Sequence, residues 1–184
     1  MKKNNSIKGD YAVGYDISSP VIRDFQGLLD SRNLGLQNMG ANFTSPEHKM
    51  EFVKTFRGID FINDSSCCNV NGIYLTLSNV QQKITWISAF SDWSQLTDEL
   101  LQLMISKVSN IIFYKELYAP AKIFLDALNI YNECAPNIET AVRAAFYATH
   151  ANQPIVFCPG VDVNGDFLSY AERGDAFKDA VAQL

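Results

Sequence analysis

The feature that most constrains this chain is a regular alternation of apolar segments that begins near Glu47. Short apolar runs have the length of strands, and the segments between them repeat their apolar residues at helical spacing. The first two runs, Glu51–Phe56 and 59–62, are separated only by Arg57 and Gly58, a connection typical of a β-hairpin. The pattern predicts further strands at 83–88, 110–114, 129–131 and 154–158, and helices at 69–80, 94–108, 120–128, 137–149 and 167–184.

Short connections between alternating strands and helices favour right-handed crossovers. We therefore expect an α/β fold, a three-layer Rossmann-like and mostly parallel sheet opened by a β-hairpin. Residues 1–45 lack this alternation and contain one periodic stretch, at 20–29, where Val21, Phe25 and Leu28 share a helical face. We expect an N-terminal extension with one short helix at 1–45 and one domain at 46–184.

Charge and composition limit the partners of the chain. The formal net charge is −5, whereas binding to a phosphate backbone requires clustered cations. The polar N-terminus is not followed by an apolar run long enough for a signal peptide or a membrane span. We expect a cytoplasmic protein with reduced cysteines that binds neither nucleic acid nor membrane.

The sequence lacks the common catalytic and metal-binding motifs. The sequence has no phosphate-binding G-x-x-x-x-G-K-[ST] loop, no G-x-G-x-x-G and no G-x-S-x-G. It also has no C-x-x-C pair, and segment 162–166 imitates a calcium loop but lacks the glycine at the sixth position. We expect no metal site, an acidic turn before the last helix, and a structural place for His150 near a helix end.

Several blocks of the sequence resemble the C-terminal domain of the Mur ligases, and in particular the D-glutamate-adding branch of that family. They are PEHKMEFV at 46–53, INDSSCCNV at 62–70, ETAV at 139–142, CPG at 158–160 and YAERGDAFK at 170–178. The resemblance implies a domain that, in the family, brings the incoming amino acid to ATP and a UDP-sugar held by two other domains.

The resemblance also implies that the amino-acid site has changed. The family's Lys and Thr that hold the substrate carboxylates correspond to Ser66 and Cys68, and a second Lys corresponds to Trp93. The family's contacting Ser corresponds to Val163, and Tyr170 keeps an aromatic residue. A buried glutamate dianion needs cations and hydrogen-bond donors, which these replacements remove. A degenerate site would be lined by these five residues.

Positions that contact nucleotide in the family correspond to Lys49, Asp64 and Asn69. Two interpretations of Asp64 and Asn69 stay open, because residues that flank a strand-to-helix turn also serve as caps of the following helix. The family's Arg is Lys49 here, which keeps the charge but loses the bidentate fork. Residues 172–174 are expected to fix the last helix against the sheet.

These observations predict a stand-alone, non-catalytic homologue of the amino-acid-binding domain, acting as a binding or regulatory module in peptidoglycan precursor synthesis. No catalytic residue is assigned, and no cofactor is expected for the chain on its own. The alternative is one piece of a split ligase, completed in trans by P-loop and UDP-binding domains, which would use ATP and magnesium. Expected partners are a complete Mur ligase or a second copy bound through the N-terminal extension.

Overall fold

The computed structural model describes residues 46–115, 119–150, 152–163 and 165–184. The proposed extension at 1–45 and its helix at 20–29 lie outside this part of the chain. The strands are β1 Glu51–Phe56, β2 Ile59–Asn63, β3 Ile84–Ser88, β4 Val108–Tyr114, β5 Tyr131–Ala135 and β6 Ile155–Phe157. The helices are α1 Val70–Asn79, α2 Asp98–Lys107, α3 Ala119–Ala127, α4 Ile138–Ala148 and α5 Tyr170–Ala182, with a 3₁₀ turn at Trp93–Gln95.

The strands form one six-stranded sheet in the order β1-β2-β6-β3-β4-β5. Only β1 is antiparallel to its neighbour, and the other pairs are parallel. The hairpin turn places Arg57 and Gly58 at φ 49° and 79°, the left-handed region that a tight two-residue turn requires. The expected α/β class, with a mostly parallel sheet opened by a hairpin, is confirmed.

Two hydrophobic cores lie on opposite faces of this sheet. One core packs α1, α2 and α3 against Trp86, Ile111 and Val156, and the other packs α4 and α5 against Phe61, Ile112 and Phe157. Neighbouring residues of one strand point to different cores because strand side chains alternate between faces. The result is the three-layer arrangement in which the sheet is covered by helices on both sides.

Three predicted elements differ from the structure by three residues or more at one end. The helix predicted at 94–108 begins at Asp98, because Thr97 accepts the Leu100 N–H as its N-cap and a separate 3₁₀ turn precedes it. The strand predicted at 129–131 is Tyr131–Ala135, after a turn in which Asn129 has φ 56°. The last helix begins at Tyr170, three residues later than predicted, because Ser169 caps it.

None of the helices within the described residues is long and apolar enough to cross a membrane.

Candidate functional site

Loops that follow β2, β3 and β6 meet at the carboxyl edge of the sheet, the edge where open α/β sheets hold ligands. Backbone hydrogen bonds tie these loops together: Asp64 N donates to Phe157 O at 2.7 Å, and Ala89 N donates to Pro159 O at 2.9 Å. Gly160 N donates to Cys67 O at 3.1 Å. Gly160 has φ +73° and lies against Ile73, so a side chain there would clash. The loops therefore form one connected surface.

Arg173, on α5, lies under this surface and is only 1% exposed. Its Nε donates to Ser65 Oγ at 3.1 Å, and its Nη2 donates to Ser65 O at 2.8 Å. Its Nη1 donates to Val161 O at 2.9 Å, and Nη2 lies 4.0 Å from Cys68 Sγ. One guanidinium thus joins the loop after β2 to the loop after β6.

The partners of Arg173 are all uncharged. Within the described part of the chain, no carboxylate lies within 4 Å of the guanidinium. Burial raises the pKa of Cys68, although the charge of Arg173 opposes the shift, so the thiol is neutral at physiological pH. Burial likewise raises the pKa of the neighbouring Tyr114. Within the described residues, the guanidinium is therefore held by neutral hydrogen-bond acceptors rather than by an ion pair.

Four of the predicted amino-acid-site residues lie in the loops after β2 and β6 or at the start of α5, and of these Cys68 contacts the guanidinium. Ser66 and Cys68 are partly buried in the loop after β2, and Ser66 Oγ donates to Asp64 Oδ1 at 3.3 Å. Val163 is partly buried in the loop after β6. Tyr170, 47% exposed, begins α5, and its carbonyl accepts a 2.7 Å hydrogen bond from Ser65 Oγ.

The side chain of Trp93, the fifth predicted site residue, packs into the core. Its indole packs against Phe90, Phe113 and Phe124, with ring centroids 5.4, 6.2 and 6.3 Å away. The side chain therefore belongs to the aromatic part of the core beside α3. Its Nε1 is buried and has no hydrogen-bond partner within the described residues.

Asp64 is fully buried, and its carboxylate organises the loop after β2. Oδ1 accepts hydrogen bonds from Met50 N at 3.1 Å and from Ser66 Oγ at 3.3 Å, while Oδ2 accepts one from Thr76 Oγ1 at 2.5 Å. The capping interpretation of Asp64 is wrong, because Asn69 is the residue that caps α1. Asp64 instead ties the segment before β1 to this loop and to α1.

Asn69 caps α1, since its side-chain oxygen accepts the Gly72 N–H at 3.0 Å. The capping interpretation of this exposed residue is confirmed. Lys49 is partly buried in the turn before β1, where its backbone N–H donates to Pro46 O at 3.1 Å. The prediction that these residues contact a nucleotide stays a prediction.

A second charged cluster joins the turn before β1 to α5. Glu47, His48 and Asp175 bring potential metal-ligand atoms within 4.8 Å of one another. Lys178 Nζ already lies between the carboxylates, 2.7 Å from Glu47 Oε1 and 3.0 Å from Asp175 Oδ1. This cluster therefore contains its own cation, in the place that a metal ion would take.

The buried ring of His48 is oriented by Asn63. Asn63 Oδ1 accepts from Ser65 N, so its Nδ2 is the donor to His48 Nδ1 at 3.1 Å. The ring proton of the neutral imidazole then lies on Nε2 and faces Glu47 and Asp175, at 3.8 and 3.9 Å. This tautomer does not suit metal coordination through Nε2.

The segment that imitates a calcium loop uses its carboxylates elsewhere. Asp166 forms an ion pair with Lys115 at 2.5 Å, and Asp162 Oδ1 accepts the Val163 N–H at 2.8 Å. Glu172 accepts the Leu168 N–H at the start of α5. The acidic residues therefore anchor the loop after β6. His150 is exposed two residues after the end of α4.

Comparison with known proteins identifies the ancestry of this chain. It is 29% identical over 162 residues to a UDP-N-acetylmuramoylalanine–D-glutamate ligase of Latilactobacillus sakei, which covers 85% of this chain and 35% of the ligase. The protein of the same name from Bacteroides fragilis is 30% identical over 145 residues, 78% of this chain and 33% of the ligase. The chain is a relative of the Mur ligases. The resemblance inferred from the sequence is confirmed.

The Mur ligase relatives are longer proteins, and the chain spans about a third of their length. A third such ligase, from Pelodictyon phaeoclathratiforme, is 27% identical over 97% of this chain and 34% of its own length. Among solved structures, the UDP-N-acetylmuramate–alanine ligase of Thermotoga maritima aligns at TM-score 0.49 and 12% identity, over 82% of this chain and 36% of that one. No protein-family model matches the chain.

From the sequence alone, Arg173 is expected only to help fix the last helix against the sheet. The periodicity of α5 contains the missing signal: Arg173 shares the buried face with Phe177, Ala180 and Val181. An arginine on the apolar face of a helix needs a polar partner inside the fold, so its position pointed to a buried polar site.

Proposed function

We propose that this chain is an amino-acid-binding, C-terminal type of Mur ligase domain with an altered ligand site. In this proposal it works as a non-catalytic binding or regulatory module in peptidoglycan precursor synthesis. Its similarity to D-glutamate ligases supports the proposed role in peptidoglycan precursor synthesis. The observation that carries the loss of catalysis is the replacement of the family's carboxylate-binding residues by Ser66, Cys68, Trp93 and Val163.

The surroundings of these positions support the same conclusion. Trp93 packs into the core, so the site has no cation where the family has a lysine. Ser66 and Cys68 are neutral, and Cys68 Sγ lies 4.0 Å from the guanidinium of Arg173. A dianionic amino acid with one cation would keep an unpaired carboxylate, which is costly in a closed site.

The test is isothermal calorimetry on the full chain. The ligands are D-glutamate, ATP with magnesium, UDP-N-acetylmuramoyl-L-alanine and a complete D-glutamate ligase. We expect heat only from the ligase. D-glutamate affinity equal to that of an active ligase would contradict the proposal. A Ser66→Lys, Cys68→Thr variant is the matched control, because restoring the family residues should increase D-glutamate binding if the site geometry is retained.

A split ligase is the second candidate, favoured by similarity to a D-glutamate ligase over 97% of the chain. In that case P-loop and UDP-binding domains supplied in trans would restore ATP-dependent amide-bond formation. The measurement is phosphate release on mixing these domains with the chain, D-glutamate and UDP-N-acetylmuramoyl-L-alanine. Release that depends on all components would establish the split ligase in place of the module.

A further inference from the structure

We propose that Cys67 and Cys158 form a redox-sensitive thiol pair, which a peroxide converts into a disulfide between the loops after β2 and β6. Neither residue is among the positions assigned to the proposed ligand site. The inference therefore stands independently of the proposed function and adds a regulatory property to the chain.

The sulfur atoms of both residues lie against the same face of α1. Cys67 Sγ fills the space beside Gly72, where an added Cβ would lie only 2.7 Å from it. Cys158 Sγ lies 3.5 Å from Thr76 Oγ1, which in turn donates to Gly72 O at 2.9 Å. Since Gly72 and Thr76 are one helical turn apart, the two thiols meet at one place in the core beside α1.

Backbone hydrogen bonds between the two loops hold the thiols in this position. The bond from Asp64 N to Phe157 O lies just before Cys158, and the bond from Gly160 N to Cys67 O lies just after it, at 2.7 and 3.1 Å. Burial is the main cause that raises the pKa of Cys158, and direct contact with the Cys67 thiol adds to it. The two sulfur atoms are therefore neighbours in the fold although they are far apart in sequence.

The other two cysteines fit this role less well. Cys134 is exposed on the edge strand β5, whereas Cys67 and Cys158 are buried. Cys68 follows Cys67 directly, and neighbouring cysteines rarely bridge because the geometry is strained. The thiol of Cys68 lies instead 3.3 Å from Ser66 O. The contacts thus select Cys67 and Cys158 as the pair.

Hydrogen peroxide supplies the oxidising equivalents. The Cys67 thiolate attacks one peroxide oxygen, the O–O bond breaks, and the products are a sulfenic acid and one water. The Cys158 thiolate then attacks the sulfenic sulfur, so that the S–S bond forms and hydroxide leaves with a thiol proton as the second water. The two side chains are 4% and 1% exposed, so both steps require the loops to open and oxidation should be slow.

Mass spectrometry of the full chain tests the pair. The reduced protein is treated with hydrogen peroxide in native buffer, free thiols are blocked with N-ethylmaleimide, and tryptic peptides are analysed without reduction. We expect a cross-link between the peptides of Cys67 and Cys158 that dithiothreitol reverses. The oxidised chain should have a Tm roughly 5 °C above that of the reduced chain, because the bond constrains the unfolded state. Absence of the cross-link, or an equal or lower Tm, would overturn the inference.

Two matched variants assign the bond, because Cys67 and Cys68 lie on the same tryptic peptide. Cys68→Ser should keep the cross-link, and Cys67→Ser should lose it. Both carry Cys134→Ser, which removes the exposed thiol that would cross-link separate chains. A cross-link that persists in Cys67→Ser, or one that is lost in Cys68→Ser, would overturn the inference. The calorimetric test uses the reduced chain, so it judges the module proposal separately.

Discussion

Gly174 makes a close contact that no other residue could make. It lies on the buried face of α5, and a side chain there would overlap the imidazole of His48. His48 cannot easily move away, because Asn63 donates to its Nδ1 and its backbone has φ 62°. The glycine thus allows the turn before β1 to pack directly on α5.

Substitution of Gly174 should therefore be costly even in a helix. We expect Gly174→Ala to lower the free energy of unfolding by about 1 to 3 kcal/mol, since overpacking outweighs the better helix propensity of alanine. Urea denaturation measures the change. In a His48→Ala background the same substitution should cost less than about 1 kcal/mol, because the overlap is gone. Equal costs in both backgrounds would show that the contact with His48 is not the cause.

Residue-level interpretation from sequence succeeded where one local rule was sufficient. Asn69 was predicted as a possible helix cap and does cap α1, because an Asn before a helical stretch needs only its neighbours to act. The role of Asp64 could not be predicted from its neighbours in sequence. Its partners are Met50, 14 residues before it, and Thr76, 12 residues after it. The role of such a buried carboxylate depends on tertiary contacts.

At the scale of elements, Lys178 fastens α5 to the turn before β1. Its ammonium contacts Glu47, Glu51 and Asp175 at 2.7, 3.7 and 3.0 Å. Burial disfavours the charge, but the hydrogen bonds to Glu47 and Asp175 raise the pKa of Lys178 above its ordinary value. The hydrogen bond from Lys178 correspondingly lowers the pKa of Glu47.

Replacement of Lys178 should remove a pH-dependent part of the stability. A carboxylate with a lowered folded-state pKa stabilises the fold above its ordinary value of 4.5 and loses this effect as the pH falls. We expect Lys178→Met to lower the free energy of unfolding at pH 7 and to lower it less at pH 3.5, measured by urea denaturation. Lys122→Met, which removes an exposed pair on α3, should have a smaller effect at either pH. A pH-independent loss at Lys178 would contradict this account.

The hairpin between β1 and β2 can be improved. Arg57 and Gly58 both have positive φ, which an asparagine tolerates better than an arginine at the first position. We expect Arg57→Asn to raise the free energy of unfolding by about 0.5 kcal/mol. Gly58→Ala in the same turn should lower it, because alanine is strained at φ 79°. Thermal and urea unfolding measure the stability of both variants. A loss of stability with Arg57→Asn and a gain with Gly58→Ala would show a turn of another type.

Strand boundaries were predictable where the apolar run is continuous and failed where it is interrupted. β3 is buried at every position and was predicted within one residue. β5 is an edge strand with Tyr131, Glu133 and Cys134 exposed, so it lacks an apolar run and its extent was missed. Its place in the sheet comes from parallel pairing with β4, which local sequence does not encode.

At the scale of the whole described domain, one sheet separates two cores that share their strands. Trp86 lies in the core beside α1, where its Nε1 donates to Cys158 O at 2.6 Å. Phe177 lies in the opposite core and stacks on Phe157 with ring centroids 4.8 Å apart. Because β3 pairs directly with β6, the strand of Phe157, loss of packing on one face should destabilise the other.

This coupling can be measured with Trp86 as a probe of the face it occupies. In a Trp93→Phe background, Phe177→Ala should lower the free energy of unfolding by about 3 to 5 kcal/mol. The urea midpoints from Trp86 fluorescence and from far-UV circular dichroism should fall together, as two-state unfolding requires. Ile123→Ala, at an exposed position of α3, should leave both midpoints nearly unchanged. If the fluorescence midpoint stays in place while the dichroism midpoint falls, the two faces unfold independently and the shared strands do not couple them.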